Sequence, residues 1–309
     1  MRSVVALAGG VGAARLLRGI VRIIPPDRLT VVGNTGDDLI LHGLHVSPDL
    51  DTIMYTLSGL EDETKGWGIA EDTFNCLHML DKLGFETWFK LGDRDLATHI
   101  VRTKLLRSGL TLSQATNELC KRLKILASLI PMSDDTVQTT VFSGQKRFEF
   151  QQYFVKRGAK DEVTKVTFEG SENAKPSPGI LEAMRAAETI MICPSNPILS
   201  ISPILSISAI ENEMRRTKAR VVGISPIVGG KAIKGPADKI MASLGFEVSP
   251  YGIAKFYEDY LDCLIIDRDD ERFKTGIERL GIKVVVASTV MRNVQDSICL
   301  GKTALEACL

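Results

Sequence analysis

The stretch Ser3-Val4-Val5-Ala6-Leu7-Ala8-Gly9-Gly10-Val11-Gly12-Ala13-Ala14-Arg15-Leu16-Leu17-Arg18-Gly19-Ile20 decides the fold. Its first residues are β-branched and apolar, predicting a strand near Ser3-Leu7 that runs straight into a glycine turn. Apolar Leu16, Leu17 and Ile20 then recur at helical spacing within a predicted helix from Ala13 to Ile23, and Leu29-Val32 is β-branched again. Strand, helix and strand in that order make one βαβ unit of a parallel sheet.

Outward from this unit, Thr189-Cys193, Arg220-Ile224, Cys263-Ile266 and Lys283-Ala287 are further short apolar runs, each followed by turn residues and a helical pattern. The fold class is α/β, a Rossmann-like, mostly parallel sheet with helices on both faces. Between the two halves, Glu71-Leu83, Asp95-Arg107 and Ser113-Leu123 read as helices, the last with Thr111 and Gln114 spaced as a capping box. Thr136-Phe142, Arg147-Val155 and Val163-Phe168 alternate apolar and polar residues, as partly exposed antiparallel strands do. Residues 61–169 are therefore expected to form an inserted helical plus antiparallel β subdomain on a nucleotide-binding core of residues 1–60 and 170–309, with Gly170-Gly179 as the returning linker.

The chain has 309 residues, with 38 Lys plus Arg balancing 38 Asp plus Glu. A zero net charge gives no global field to attract nucleic acid or an anionic membrane. At 44% hydrophobic and 25% charged residues the composition is that of a globular protein, and no run reaches the ~18 apolar residues of a spanning helix. The N-terminal apolar stretch is too short for a signal peptide, so the expected location is cytoplasmic. The six cysteines lie far apart without metal-site spacing and read as buried thiols.

Ligands of open parallel sheets bind beyond the carboxyl ends of the strands, and here those ends are polar and glycine-rich. Gly9, Gly10 and Gly12 form a phosphate cradle by mechanism, because glycine lets backbone amides approach an anion at a helix start, with Arg15 and Arg18 nearby. GxGxxG would need Gly or Ala at Arg15, and the second strand ends in Gly33-Asn34 instead of a ribose-binding acid, so a nicotinamide site is a poor fit. Asp37, Asp38, Asp49 and Asp51 fall within 15 residues, a set that suits magnesium shared with substrate phosphates. A simpler role for each is to cap a helix near Thr52 or shape a turn. His42 and His45, without a third nearby ligand, read as structural histidines. Trp88 and Phe89 offer stacking surfaces beside Lys90, and Asp93-Arg94-Asp95 reads as a helix start with a salt bridge. Ser195 and Asn196 lie between prolines, and Ser225-Gly230 suggests a second anion nest near Lys231 and Lys234. GxSxG, Walker and HExxH motifs are absent from the sequence.

Taken together, these motifs resemble the 2-phospho-L-lactate transferases that build coenzyme F420, the deazaflavin of methanogens and actinobacteria. The resemblance covers nearly the whole chain: Leu7 to Gly12, Asn34 to Asp38, His42 to Thr52, Leu91 to His99, Pro131 to Asp135, Pro194 to Pro197, and Ser225 to Gly230 with Lys234-Gly235-Pro236. It implies magnesium-dependent transfer of phospholactate from lactyl-2-diphospho-5'-guanosine to the ribityl hydroxyl of the deazaflavin Fo, releasing GMP. By motif position, Asp51 and Lys90 touch the deazaflavin, with Trp88 beside them, and Asp37 and Asp49 hold the metal. Asp51 is also the candidate catalytic residue. Gly9, Gly10, Gly12, Asn34, Ser195, Asn196, Ser225, Gly229 and Gly230 would surround the guanosine diphosphate part. Family members are similar in forming homodimers. The nearest alternative is a nucleotide-sugar-binding regulatory protein of the same superfamily, which shares the glycine loop and the Asn-Thr-Gly-Asp-Asp turn. The block from His42 to Thr52 with Trp88 to Asp95 resembles the transferase's acceptor side instead.

Overall fold

The computed structural model describes residues 3–307, so Cys308 lies outside the described residues. Seven strands, numbered in chain order, form the central sheet: β1 (Val4–Ala8), β2 (Leu29–Gly33), β3 (Ser128–Pro131), β4 (Thr189–Ile192), β5 (Arg220–Ile224), β6 (Cys263–Asp267) and β7 (Lys283–Ala287). Their order is β7-β6-β5-β4-β1-β2-β3 and every pairing is parallel. Helices cover both faces, which is why the inner strands are apolar at consecutive positions. In β1, Val5 and Leu7 join one core with Val32 and Ile192, whereas Val4, Ala6 and Ala8 join the other with Val31 and Met191. This is the α/β fold expected from the sequence.

Helix boundaries shift locally. The first helix spans Gly10–Ile20, starting at the glycines themselves, where Gly10 adopts φ +71°. It packs on the C-terminal helix Val294–Glu306 through Gly19, where a Cβ would collide with the Ser297 backbone. Gly19→Ala is therefore expected to destabilise the protein by about 1–3 kcal/mol through overpacking, read as a lower denaturant midpoint. An unchanged midpoint would show that the two helices can separate freely.

Between β2 and β4, the capping box is present: Thr111 Oγ1 accepts from Gln114 N–H, and Gln114 Oε1 accepts from Thr111 N–H. The antiparallel sheet pairs Lys146–Glu149, Gln138–Ser143 and Lys165–Glu169 in that order. The strand expected over Arg147-Val155 ends at Glu149, and the chain coils from Phe150 to Lys156. Phe150 and Phe154 stack with ring centroids 5.4 Å apart, a helical neighbour pair that outweighs the alternating pattern. The edge strand β3 also comes from this region, so residues 61–169 contribute to the central sheet as well as to the added layer.

Asp93-Arg94-Asp95 does start a helix, Asp93–Arg107, but the expected salt bridge is replaced by reciprocal capping. Asp93 accepts the N–H groups of Asn75 and Cys76 at the start of helix Asn75–Lys82, and Asp72 accepts those of Arg94 and Asp95. Hydrogen bonds from Thr73 and these amides hold the Asp93 carboxyl at about 2.

Candidate functional site

Strand order reverses between β1 and β4, the position where open α/β sheets place their ligands. A cavity of about 700 Å³ opens there. The aligned register Ala8↔Gly33 and Leu7↔Ile192 brings the loops after β1, β2 and β4 to one rim.

Gly9, Gly10 and Gly12 line this cavity. A Cβ on Gly9 would stand 2.6 Å from Asp49 Oδ2 and 2.6 Å from Ser200 Cβ, and one on Gly12 would collide with the Pro194 carbonyl. Glycine is thus required for the close contact of these loops. Ser195 Oγ accepts from Gly9 N–H at 3.4 Å. Asn196 caps the turn after β4, its Oδ1 accepting from Ile198 and Leu199 N–H, while its Nδ2 has no partner among the described residues. A buried donor on a cavity wall calls for an acceptor from a ligand or water.

On the other side of the glycine loop, Asp37 and Asp49 converge on one amide: Asn34 Nδ2 donates to Asp37 Oδ1 at 3.2 Å and Asp49 Oδ2 at 2.9 Å. Gln151 Nε2 donates to Asp37 Oδ2 at 2.9 Å. Burial raises the Asp37 carboxyl well above its usual range, reinforced by the charges of Asp49 and Asp38. Burial also lifts Asp49 to about 7, with Asp38 adding to the rise and the Asn34 hydrogen bond opposing it. Both carboxylates face the cavity, and among the described residues neither has a cationic partner. This donor set fits magnesium, which takes few protein carboxylates and keeps waters and substrate phosphates as its other ligands. Among the described residues no group of three or more His, Cys, Asp or Glu forms a closed metal cage.

Asp49 and Asp51 both lie in the first turn of helix Pro48–Ser58, which Pro48 starts earlier than the Thr52 expected from the sequence. Asp51 is clamped by the buried Arg102: Nη1 donates to Oδ2 at 3.0 Å and Nη2 pairs with Oδ1. His99 lies between Asp51 and Asp95, with Nδ1 3.6 Å and Nε2 3.2 Å from their carboxylates, and Tyr55 Oη donates to Asp95 at 2.6 Å. His45 pairs with Asp38 at 2.9 Å, and His42 occupies the turn of hairpin Leu39–Leu41/Leu44–Val46. Both histidines therefore serve the scaffold.

Trp88, Phe89 and Lys90 line the same cavity, opposite Phe150, Gln151 and Phe154. Of the residues expected at the site, the structure brings together Gly9, Gly10, Gly12, Asp37, Asp49, Asp51, Trp88, Lys90, Ser195 and Asn196 on its walls, with Asn34 directly beneath. Ser225, Gly229 and Gly230, the loop expected to form a second anion nest, are not among the residues on these walls. Gly229 N–H donates to Asp270 Oδ2 at 3.0 Å and Ser225 Oγ donates to the Ile227 carbonyl, so these groups are spent within the protein. From that loop region Pro226 and residues 233–237 reach the cavity. Gln151, Arg102 and the Lys65-Trp67 edge carry no motif and were not legible as site residues, and neither were Phe150 and Phe154, whose segment reads as an alternating strand.

Among the described residues, no helix is long and apolar enough to cross a membrane. The solved structure of a UPF0052-family protein from Bacillus halodurans superposes with a TM-score of 0.64 at 15% identity, covering 98% of each chain, and shares the fold. A phosphoenolpyruvate transferase from Kitasatospora aureofaciens is 42% identical over 98% of this chain and 96% of its own length. A 2-phospho-L-lactate transferase from Methanosarcina mazei is 39% identical over 97% of this chain and 98% of its own. The sequence profile of 2-phospho-L-lactate transferase CofD matches residues 4–290. With these matches running the length of the sheet and the cavity loops, the chain belongs to the CofD family of 2-phospho-L-lactate transferases.

Proposed function

We propose that the protein transfers the 2-phospho-L-lactate moiety of lactyl-2-diphospho-5'-guanosine to the ribityl hydroxyl of the deazaflavin Fo, forming F420-0 and releasing GMP with magnesium present. One observation carries this reading: a single cavity joins the glycine loop, the paired carboxylates Asp37 and Asp49, and the aromatic wall beside Lys90 and Asp51. These are the parts that displacement on a diphosphate by an alcohol requires, namely positioning and neutralised phosphate charge.

In this reading the ribityl oxygen bonds to the phosphorus of the phospho-acid as the anhydride P–O bond breaks, the bridging oxygen departs with GMP, and the hydroxyl proton is released to solvent. Asp37 and Asp49 would hold magnesium, which supplies charge neutralisation to the phosphate oxygens when bound. Asp51 accepts a hydrogen bond from the hydroxyl and aims it. The Arg102 clamp makes Asp51 a fixed acceptor, and a loose phosphoryl-transfer transition state asks little of a general base. Trp88 and Phe154 offer faces to the deazaflavin, and Lys90 a donor to its ring carbonyls.

The decisive test is incubation with magnesium, Fo and the guanylated donor, followed by mass analysis for the phospholactylated deazaflavin and GMP. Binding of Fo and nucleotide without any product would favour a regulatory protein. Lys90→Ala is expected to keep the fold, because Lys90 is exposed, and to raise the KM for Fo about tenfold. Wild-type KM and turnover in that variant would remove Lys90 from the acceptor site. A second donor has its own support: relatives named phosphoenolpyruvate transferase are 42% identical to this chain. Parallel assays with the phosphoenolpyruvyl donor separate the two by product mass.

A further inference from the structure

Two cations on the cavity wall have no role in the acceptor and metal assignments above. Arg15, one and a half turns into the first helix, and Lys234, in the loop after β5, both line the cavity. Among the described residues neither meets a carboxylate: Arg15 Nη1 donates to the Met291 carbonyl at 3.2 Å, and Lys234 Nζ to the Lys65 carbonyl at 3.0 Å. They converge on one point, since a Cβ on Gly66 would stand 2.7 Å from Lys234 Nζ and 3.7 Å from Arg15 Nη2. Gly66 itself has φ +79°, so the loop that carries it across these cations depends on glycine there. Partial desolvation lowers the Lys234 pKa, and the neighbouring Arg15 charge lowers it further. Arg15 is half-buried and Lys234 exposed, so an anion entering the cavity can reach both charges at once.

Their place along the crevice identifies that anion. The carboxylates Asp37, Asp49 and Asp51 and the aromatic wall come from the β2 and β3 flank, whereas Lys234, Pro226 and Met291 come from the β5 and β7 flank, with the glycine loop between. We propose that Arg15 and Lys234 form a leaving-group site that binds the non-bridging oxygens of the nucleotide-side phosphate. The inference rests on the transferase reading. As the anhydride P–O bond breaks, the bridging oxygen takes the electron pair and the departing nucleoside monophosphate gains one negative charge. The two cations stabilise that charge where it develops. Lys234 also ties the Lys65-Gly66 segment over the site, so the phosphate grip and the covering loop share one side chain.

The test compares wild type with Arg15→Met, Lys234→Met and Lys234→Arg, measuring affinity for GMP and for guanosine, Fo binding by fluorescence, and turnover. The Met variants are expected to weaken GMP binding about tenfold to a hundredfold and to lower kcat at least as much, while guanosine and Fo binding stay at wild-type values. Lys234→Arg should recover most of the loss. Unchanged GMP affinity and kcat in both Met variants would overturn the leaving-group site, as would equal losses for GMP and guanosine. If instead wild type itself yields no product and binds no guanine nucleotide, the transferase reading has failed and not this assignment alone.

Discussion

Asp49→Asn is expected to lower turnover at saturating magnesium by about a thousandfold and, in the same molecule, to raise the melting temperature of the metal-free protein at pH 8. The two effects share one cause. Asp49 is buried, with its pKa lifted from 3.8 to about 7 chiefly by desolvation. A carboxyl whose folded pKa lies above its unfolded value holds extra protons in the folded state between those two values. Its contribution to stability therefore falls as pH rises from about 4 to 7 and stays low above that. The neighbouring Asp37, shifted in the same direction, deepens the loss. Asparagine keeps the oxygen that accepts from Asn34 and removes the charge, so the variant should gain a few kcal/mol at pH 8, or ~2–6 °C. If Asp37 and Asp49 hold magnesium as proposed, the pattern in wild type should reverse when the metal is added, because a cation favours the ionised carboxylates and its stabilisation grows over the same pH window. Melting curves from pH 4 to 8, with and without magnesium, read all of this. A variant that melts below wild type at pH 8 without metal, or that is still stabilised by magnesium as wild type is, would show that Asp49 is neither strained nor a ligand.

This prediction also marks what the sequence could reveal. The central sheet was readable because its strands are short apolar runs ending in glycine or polar turns, a pattern imposed by burial on both faces. The edge strand β3 was not, since Ser128-Leu129-Ile130-Pro131 offers only two apolar residues between a serine and a proline and follows a helix closely. At the site, Asp37 and Asp49 were readable because a local cluster of carboxylates beside a glycine loop is unusual on its own. The Gly229 contact was not readable, because the Asp270 carboxylate that accepts its N–H lies 41 residues further along. Arg102 was silent as well. A single arginine in the mainly polar helix Asp93–Arg107 reads as solvated surface until the helix packs against hairpin strand Leu44–Val46 and helix Leu112–Arg122 and Arg102 is buried beside Asp51.

That buried arginine supplies the second large effect. Arg102→Met is expected to cost about 3–5 kcal/mol of stability, because it strands the Asp51 carboxylate in the interior with only His99 and the Ser47 N–H beside it. Asp51→Asn strands the guanidinium instead, which keeps its contacts to the His45 carbonyl and His99, so its cost should be smaller. Removing both charges together should recover much of the loss, giving a coupling of roughly 1–3 kcal/mol in a double-variant unfolding cycle. Strict additivity would mean that the two side chains act independently despite their contact. Activity should follow a different rule from stability. If Arg102 serves to aim Asp51 at the acceptor hydroxyl, all three variants lose turnover to a similar extent while Fo still binds, because a restored fold without the Asp51 acceptor leaves the hydroxyl unaimed. Recovery of turnover along with stability in the double variant would instead make the pair a structural element of the helix packing, and the aiming of the hydroxyl would then fall to another group on the cavity wall.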